Sequence, residues 1–503
     1  MIRTLIVAAR DRVRLAEIVQ VASRFGLGVL LARLGVEGPL EAEEEAAIGI
    51  GLPRRTRLAL EALGPTFVKL GQILATRGDL LPPEWIAELE QLHSRAPTLA
   101  FEELRAEVEA ALGEPPETAF ARFDPRPLAA ASMAQVHRAA LPDGREVVLK
   151  IRRPGIRPRV EADLRLIAQL VALAETASAE ARRFAPAAMV RQLTEAMLEE
   201  LDFTAEGRNA DRIRADFAGE ARVVVPEIHW AWTSEALLVM DYVDGVAPRD
   251  ADMLRAAGID PGAIAELGAD IVLDMVLVNG RFHADPHPGN LLCLPGDRIA
   301  LLDLGMIGHV SPRRREEFIG FVQAIGLSDA AALADTLAVW TKGSGVPRER
   351  VTAAAERLIQ RHGGGRVVLS ALVADIFPLL REEGMTMPPD LLLIFKALVT
   401  VDGVLNAIRP GFDLSAAMRR SSRRVLVARL SPERWEPRMQ ALAWELARLG
   451  DDAPRLIRAA VRRLEAEPAE AAPIPAAIAS ATRWLAGAIL LGAILVMTAL
   501  LLG

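Results

Sequence analysis

Four polar residues near the middle of this 503-residue chain have the types and spacing for phosphoryl transfer. In the run from Asn279 to Gly308, NGRFHADPHPGNLLCLPGDRIALLDLGMIG, His283 precedes Asp285, Asn290 follows, and Asp303 opens an Asp-x-Gly. An H-x-D-x-x-x-x-N loop, a short strand pair and then D-x-G is the arrangement of kinase-type phosphotransferases. The residue types have chemical reasons. Asp285 is a carboxylate to meet the acceptor hydroxyl, while Asn290 and Asp303 offer the hard oxygens that Mg²⁺ prefers. The reaction class implied is transfer of a phosphoryl group from a Mg-nucleotide.

The elements between these residues must bring them together. Leu291 to Leu294, then Pro295-Gly296-Asp297, then Ile299 to Leu302 reads as strand, turn and strand, a hairpin carrying both metal ligands into one cleft. Upstream, Arg145 to Ile151 (REVVLKI) ends like a V-A-I-K strand, whose lysine, here Lys150, holds the α and β phosphates. Before it stand Ala129, Ala130, Ala131 and Ser132, then a strand from Gln135 to Ala139. In a protein kinase this hairpin would be the glycine-rich loop. Alanine disfavours positive φ and puts a methyl where the backbone must approach a phosphate, so this is not the ordinary nucleotide clamp.

A kinase-like lobe also needs a helical glutamate to pair with the strand lysine. The segment Glu195 to Asn209 (EAMLEELDFTAEGRN) reads as helix to about Glu206 and supplies several acids. Val223 to Pro226 and Ala236 to Met240 read as two more strands. Asp241-Tyr242-Val243-Asp244-Gly245 then forms the expected hinge, with backbone groups at Asp241 and Val243 for adenine. Lys69, Gly71 and Gln72 lie on a helical stretch with Lys69 and Gln72 one turn apart, in an apolar setting that implies a packed helix.

Composition agrees with a large, mainly helical core. About half of the residues are apolar, aromatics are few, and Ala, Leu and Arg abound. A net charge of −7 with basic and acidic residues interspersed gives no nucleic-acid surface. The single cysteine, Cys293, rules out an intrachain disulfide and sits in an apolar strand, which points to packing rather than reactivity. The Arg-rich N-terminus reads as an amphipathic surface helix, packed on the domain or touching anionic lipid. At the other end, Trp484 to Gly503 runs twenty residues without a charge, about one hydrocarbon thickness of helix. Arg483 and Trp484 are interface anchors, and Ala488 and Gly492 form a small-xxx-small pair that allows a homodimer through the tail.

The segmentation is then as follows: 1–54, an amphipathic helical segment; 55–118, a helical extension carrying K-x-G-Q; 119–245, a mixed lobe; 246–465, a mostly helical lobe; 466–483, a charged linker; 484–503, a transmembrane helix. The fold class is α+β, a two-lobed protein-kinase-like fold with a helical N-terminal extension and a C-terminal membrane anchor.

From about Leu60 to Asp413 the chain resembles the UbiB-type atypical kinases, a family associated with ubiquinone biosynthesis. The matching motifs are Lys69-Leu70-Gly71-Gln72 (K-x-G-Q), the Ala-rich loop, Glu200-Leu201-Asp202 (E-x-D), FHADPHPGN, and the D-x-G at Asp303. They continue from Pro388-Pro389-Asp390-Leu391 to Pro410-Gly411-Phe412-Asp413. The resemblance implies ATP or ADP with Mg²⁺ as ligands, a slow or lipid-stimulated ATPase or kinase, and support of isoprenoid-quinone assembly at a membrane. Its partners would be the lipid membrane and quinone precursors or quinone-biosynthesis proteins. It also implies that Lys69, Gly71 and Gln72 lie across the place of a peptide substrate, facing Glu200 and Asp202 in a regulatory arrangement. Lys150 would contact the phosphates, paired with either Glu200 or Glu206.

Two features depart from the family pattern. Leu304 stands where Phe is usual in D-x-G, a volume-similar exchange expected to be mild. One apolar span is visible where bacterial relatives tend to have two, so the anchor is read as single-pass, with the lobes on the cytoplasmic side of a bacterial inner membrane. Protein-substrate machinery is missing, because Ser311-Pro312 already starts a helix soon after Asp303. A small-molecule or lipid phosphotransferase and a nucleotide-binding pseudokinase scaffold are the alternatives.

Overall fold

The computed structural model describes residues 11–27, 51–92, 97–177, 186–342, 345–363, 369–414, 417, 418, 421 and 444. The chain divides into units 1–427 and 428–503, and every described residue but Trp444 belongs to the first. The expected tail helix, the linker and much of segment 1–54 lie outside the described residues.

Among the described residues, four helices make the N-terminal extension: α1 (Arg12–Arg24), α2 (Leu52–Leu63), α3 (Pro65–Ala75) and α4 (Pro83–Leu89). Proline at the first turn of α2, α3 and α4 sets φ and lacks only an N–H that would have no partner there. Of the two readings of the first helix, packing on the domain is what the described residues show. Arg14 is buried, with Nε donating to Asp163 Oδ1 at 2.6 Å and Nη2 to the Leu63 carbonyl at 2.6 Å.

The first lobe is built on a four-stranded antiparallel sheet in the order β1-β2-β3-β5, with β1 Arg122–Ala130, β2 Ala134–Ala140, β3 Glu146–Arg152 and β5 Leu237–Asp241. Alternation along β3 sends Val147, Leu149 and Ile151 to one face, where they pack with Phe101, Leu104 and Val108 of α5 (Phe101–Leu112). Lys150 therefore points to the opposite face.

The helices α6 (Ile156–Ala177), α7 (Pro186–Glu200) and α8 (Phe203–Asp216) follow β3. The expected single helix through Glu206 is interrupted at Leu201-Asp202. Asp202 leaves helical geometry and caps α8, accepting the Thr204 N–H at 2.9 Å. An Asp before a run of helix formers favours this capped start over a continuous helix. The strand β4, only Val223–Val224, pairs in parallel with Ile299 and Ala300 of the second lobe rather than with the first-lobe sheet.

In the second lobe, α9 (Pro261–Asp274) widens into a π-helical turn, Met275–Asn279, that ends at Gly280 with φ of 69°. Such turns recur beside functional loops. The expected hairpin is present as β7 (Leu291–Leu294) and β8 (Arg298–Leu301). Gly296 and Asp297 both take positive φ, the geometry a tight hairpin turn requires. The lobe is less purely helical than expected, since β6 (Arg281–His283) pairs with β9 (Ile307–His309) on either side of the catalytic segment. Among the described residues after β9 follow the helices α10 (Pro312–Gly326), α11 (Ala330–Trp340), α12 (Arg348–His362), α13 (Leu369–Glu382) and α14 (Pro389–Ile408). Among the described residues only Asp390–Ile408 is long and apolar enough to cross a membrane, and most of it is buried in the lobe core.

Candidate functional site

A cleft of about 630 Å³ lies between the lobes, lined by Lys69, Lys150, Glu206, Asp285, Asn290 and Asp303 among others. Five different elements supply these residues. Hairpin pairing places two of them: Leu291 stands opposite Leu301, and the Leu302 N–H donates to the Asn290 carbonyl at 3.0 Å. Asn290 and Asp303 thus flank the open end of one hairpin.

Lys150 donates to both oxygens of Glu206, at 2.7 and 2.9 Å, and lies 3.4 Å from Asp303 Oδ2. Burial works against its charge, but the carboxylates of Asp303 and Glu206 outweigh that and raise its pKa. Burial also pushes Glu206 up to about 7, against the pull of Lys150. Asp303 is likewise opposed by burial, yet Lys150 and the Gly305 N–H hold it down at about 2. Asp303 is therefore ionised. Glu200 points elsewhere: its Oε2 receives Lys69 Nζ at 2.9 Å. Each lysine has its own glutamate, one per helix on either side of the break at Asp202.

Asp285 is half-buried at the cleft floor, with Lys396 Nζ of α14 3.3 Å from Oδ1 and His287 Nε2 4.0 Å from Oδ2. His283 is buried beneath it, and its Nδ1 accepts the Asp285 N–H at 3.2 Å. Burial lowers His283 to about 4, so the ring is neutral and carries its proton on Nε2. The Asn290 amide nitrogen donates to the Asp285 carbonyl at 3.1 Å, which leaves the side-chain oxygen for a cation. Among the described residues no group of three or more His, Cys, Asp or Glu side chains could hold a metal unaided. Two hard donors with open coordination suit an Mg²⁺ that arrives on nucleotide phosphates.

Ala130, Ala131 and Ser132 line the cleft, while Ala129 sits back on β1 opposite Val136. None of the four has positive φ, so this turn has no need of glycine. It is closed by the Ala131 N–H to the Ala134 carbonyl at 2.8 Å and pinned by Arg153, which donates from Nε to the Ala131 carbonyl at 2.9 Å and from Nη2 to Pro97 at 2.7 Å. Asp241 and Val243 do not line the cleft, and the Asp241 carboxylate accepts from His229 Nε2 at 2.8 Å. Gly71 is buried where α3 meets its neighbours: a Cβ there would come within 2.2 Å of Leu92 Cδ1 and 2.9 Å of Leu60 Cδ1. Gln72 donates to the Leu92 carbonyl at 3.2 Å and also lines the cleft. Leu304 is buried in the core, and its carbonyl accepts from Asn209.

Residues 91–337 match the ABC1 atypical kinase-like domain and residues 365–413 the UbiB helical domain. Over 420 residues the chain is 35% identical to the "Probable protein kinase UbiB" of Xanthomonas campestris, a match covering 80% of this chain and 75% of that one. The chain belongs to the UbiB family of ABC1-type atypical kinases. The namesake protein of Xylella fastidiosa is 34% identical over 415 residues, with the same coverage of each chain. In fold, the Rv3197–erythromycin complex of Mycobacterium tuberculosis superposes with a TM-score of 0.50 at 21% identity, over 75% of this chain and 97% of the other.

The UbiB helical domain contributes a residue that local motif reading missed. Lys396 lies far downstream of Asp285 in the sequence, with no spacing to signal it. A partial signal existed at His287, which occupies the position two past Asp285 where protein kinases carry a phosphate-stabilising lysine. The cation beside Asp285 comes instead from α14, as Lys396.

Proposed function

We propose that this chain is a membrane-anchored atypical kinase or ATPase that binds Mg-nucleotide and supports isoprenoid-quinone biosynthesis. The observation that carries the reading is the Lys150–Glu206 pair beside Asp303, in the same cleft as Asp285 and Asn290. The nucleotide with Mg²⁺, when bound, supplies the transferable phosphoryl group. Asn290 and Asp303 would hold the metal, and Lys150, oriented by Glu206, would meet the phosphates. Asp285 would accept a proton from the attacking hydroxyl or water, with Lys396 balancing its charge. The quinone role rests on the UbiB family, and the anchor rests on the uncharged run Trp484 to Gly503.

Phosphate release by the purified chain, with and without anionic liposomes, tests the activity. Two variants separate the roles. Asp303→Asn should lose stabilisation by MgATP in a thermal-shift assay, because a metal ligand and a partner of Lys150 are both weakened. Asp285→Asn should keep that stabilisation while phosphate release falls by about 10²-fold or more, the scale of a lost proton acceptor. Equal loss of MgATP stabilisation in both variants would show the roles to be misassigned.

A further inference from the structure

A second cavity, of about 850 Å³, lies on the far side of Asp285 from the phosphate-binding residues. One wall is the N-terminal extension, with Leu81, Ile86 and Leu89; the other is the UbiB helical domain, with Val373, Phe377 and Leu392. Polar side chains, Thr76, Glu90, Ser370 and Thr400 among them, interrupt the apolar lining. Gln72, Asp285 and His287 line both this cavity and the nucleotide cleft, and Lys396 enters beside Asp285. Arg381 also lines the cavity, but its guanidinium is occupied by the carbonyls of Leu81 and Gly78. It clamps the two walls together rather than offering itself to a ligand.

We infer that this cavity is the acceptor site and that it takes an amphiphile with a long apolar body and one terminal hydroxyl. The inference rests on the Mg-nucleotide reading of the neighbouring cleft and names its substrate class. A volume of this size suits a small molecule, and a mainly apolar lining with a few polar groups, here Asp285 and Lys396 in contact, is the usual form of such a site. A peptide would leave backbone N–H and C=O groups against apolar walls without partners. An anionic head would meet the Asp285 carboxylate. A hydroxyl instead donates to Asp285 and places its oxygen near the Lys396 ammonium. The acceptor O–H proton passes to the Asp285 carboxylate as the acceptor oxygen bonds to the γ-phosphorus of the nucleoside triphosphate. The bond from that phosphorus to the β–γ bridging oxygen breaks, and the nucleoside diphosphate leaves with that oxygen.

Photolabelling of the full chain in nanodiscs with a diazirine-bearing decanol tests the site. Adducts are expected on peptides from Pro83–Leu89 and from 370–400. Ala87→Trp and Ala374→Trp each place an indole from a cavity-lining position on one wall. They should reduce labelling at least tenfold while the thermal shift with MgATP stays unchanged. Unlabelled decanol with MgATP should give decyl phosphate by mass spectrometry, and the methyl ether of decanol should give no phosphorylated product. Labelling scattered over the surface, or undiminished in both tryptophan variants, would overturn the site. Cavity labelling without decyl phosphate, in a protein that MgATP stabilises, would overturn the acceptor role. Cavity labelling with no MgATP stabilisation in the parent would overturn the nucleotide reading, and the acceptor role with it, leaving an amphiphile-binding cavity.

Discussion

Lys150 faces two carboxylates that respond to it differently. Asp303 stays ionised, while the more deeply buried Glu206 has its pKa raised towards neutrality. Lys150→Met removes the cation from between them. A lone buried charge costs about 3–5 kcal/mol when its partner is deleted, and Glu206 can escape part of that cost by taking up a proton. A carboxyl whose folded pKa is raised stabilises the fold fully below its unfolded value and loses that contribution as pH rises through the folded value. The variant should therefore lose stability from pH 6 to pH 8 more steeply than the parent, as urea denaturation would record. A parent-like slope would mean that Glu206 is not the acid carrying the burden. At this scale the sequence was legible wherever function imposes a local spacing: Asp285, Asn290 and Asp303 could be read from one run of residues. It was not legible for the pairing of Lys150, because Glu200 and Glu206 both follow the helical pattern. Only the break at Asp202 sends one to Lys69 and the other to Lys150.

The hairpin Leu291–Leu301 was readable because two short apolar runs flank Pro-Gly-Asp, and the turn chemistry fixes the rest. The partner of Val223–Val224 was not, since periodicity marks a strand without saying which sheet it joins. That α3 is packed was legible from its apolar setting, but which neighbours it meets was not, although one residue hinted at a close approach. A glycine in the middle of an apolar helix weakens the helix unless close packing needs the space. Gly71→Ala should cost about 1–3 kcal/mol through overpacking against Leu92 and Leu60. The same shift of α3 should disturb Lys69 at Glu200. Thermal denaturation measures the first effect, and limited proteolysis of the extension the second. A variant with the parent's melting temperature and cleavage pattern would show that Leu92 simply rotates away.

The whole molecule was legible as a kinase-like pair of lobes with a helical extension, because each motif is local and the order of motifs follows the chain. The walls of the amphiphile cavity were not, since they join helices from opposite ends of the described chain by shape alone. Removing residues from Ala476 onward should leave nucleotide binding intact, as every described residue of the cleft precedes that point. It should reduce function in cells by separating the site from a lipid-dissolved substrate. Membrane flotation and a thermal shift with MgATP measure the two halves of this outcome, and full cellular function of the truncated chain would remove the need for an anchor. The shared rim of Gln72, Asp285 and His287 has a thermodynamic corollary. If filling one cavity changes the affinity of the other by some factor, the second must change the first by the same factor. A nucleotide titration at rising amphiphile concentration and an amphiphile titration at rising nucleotide concentration would then report one coupling constant. The extension, which closes one cavity and reaches the other through Lys69, is the part of the chain that would set its size.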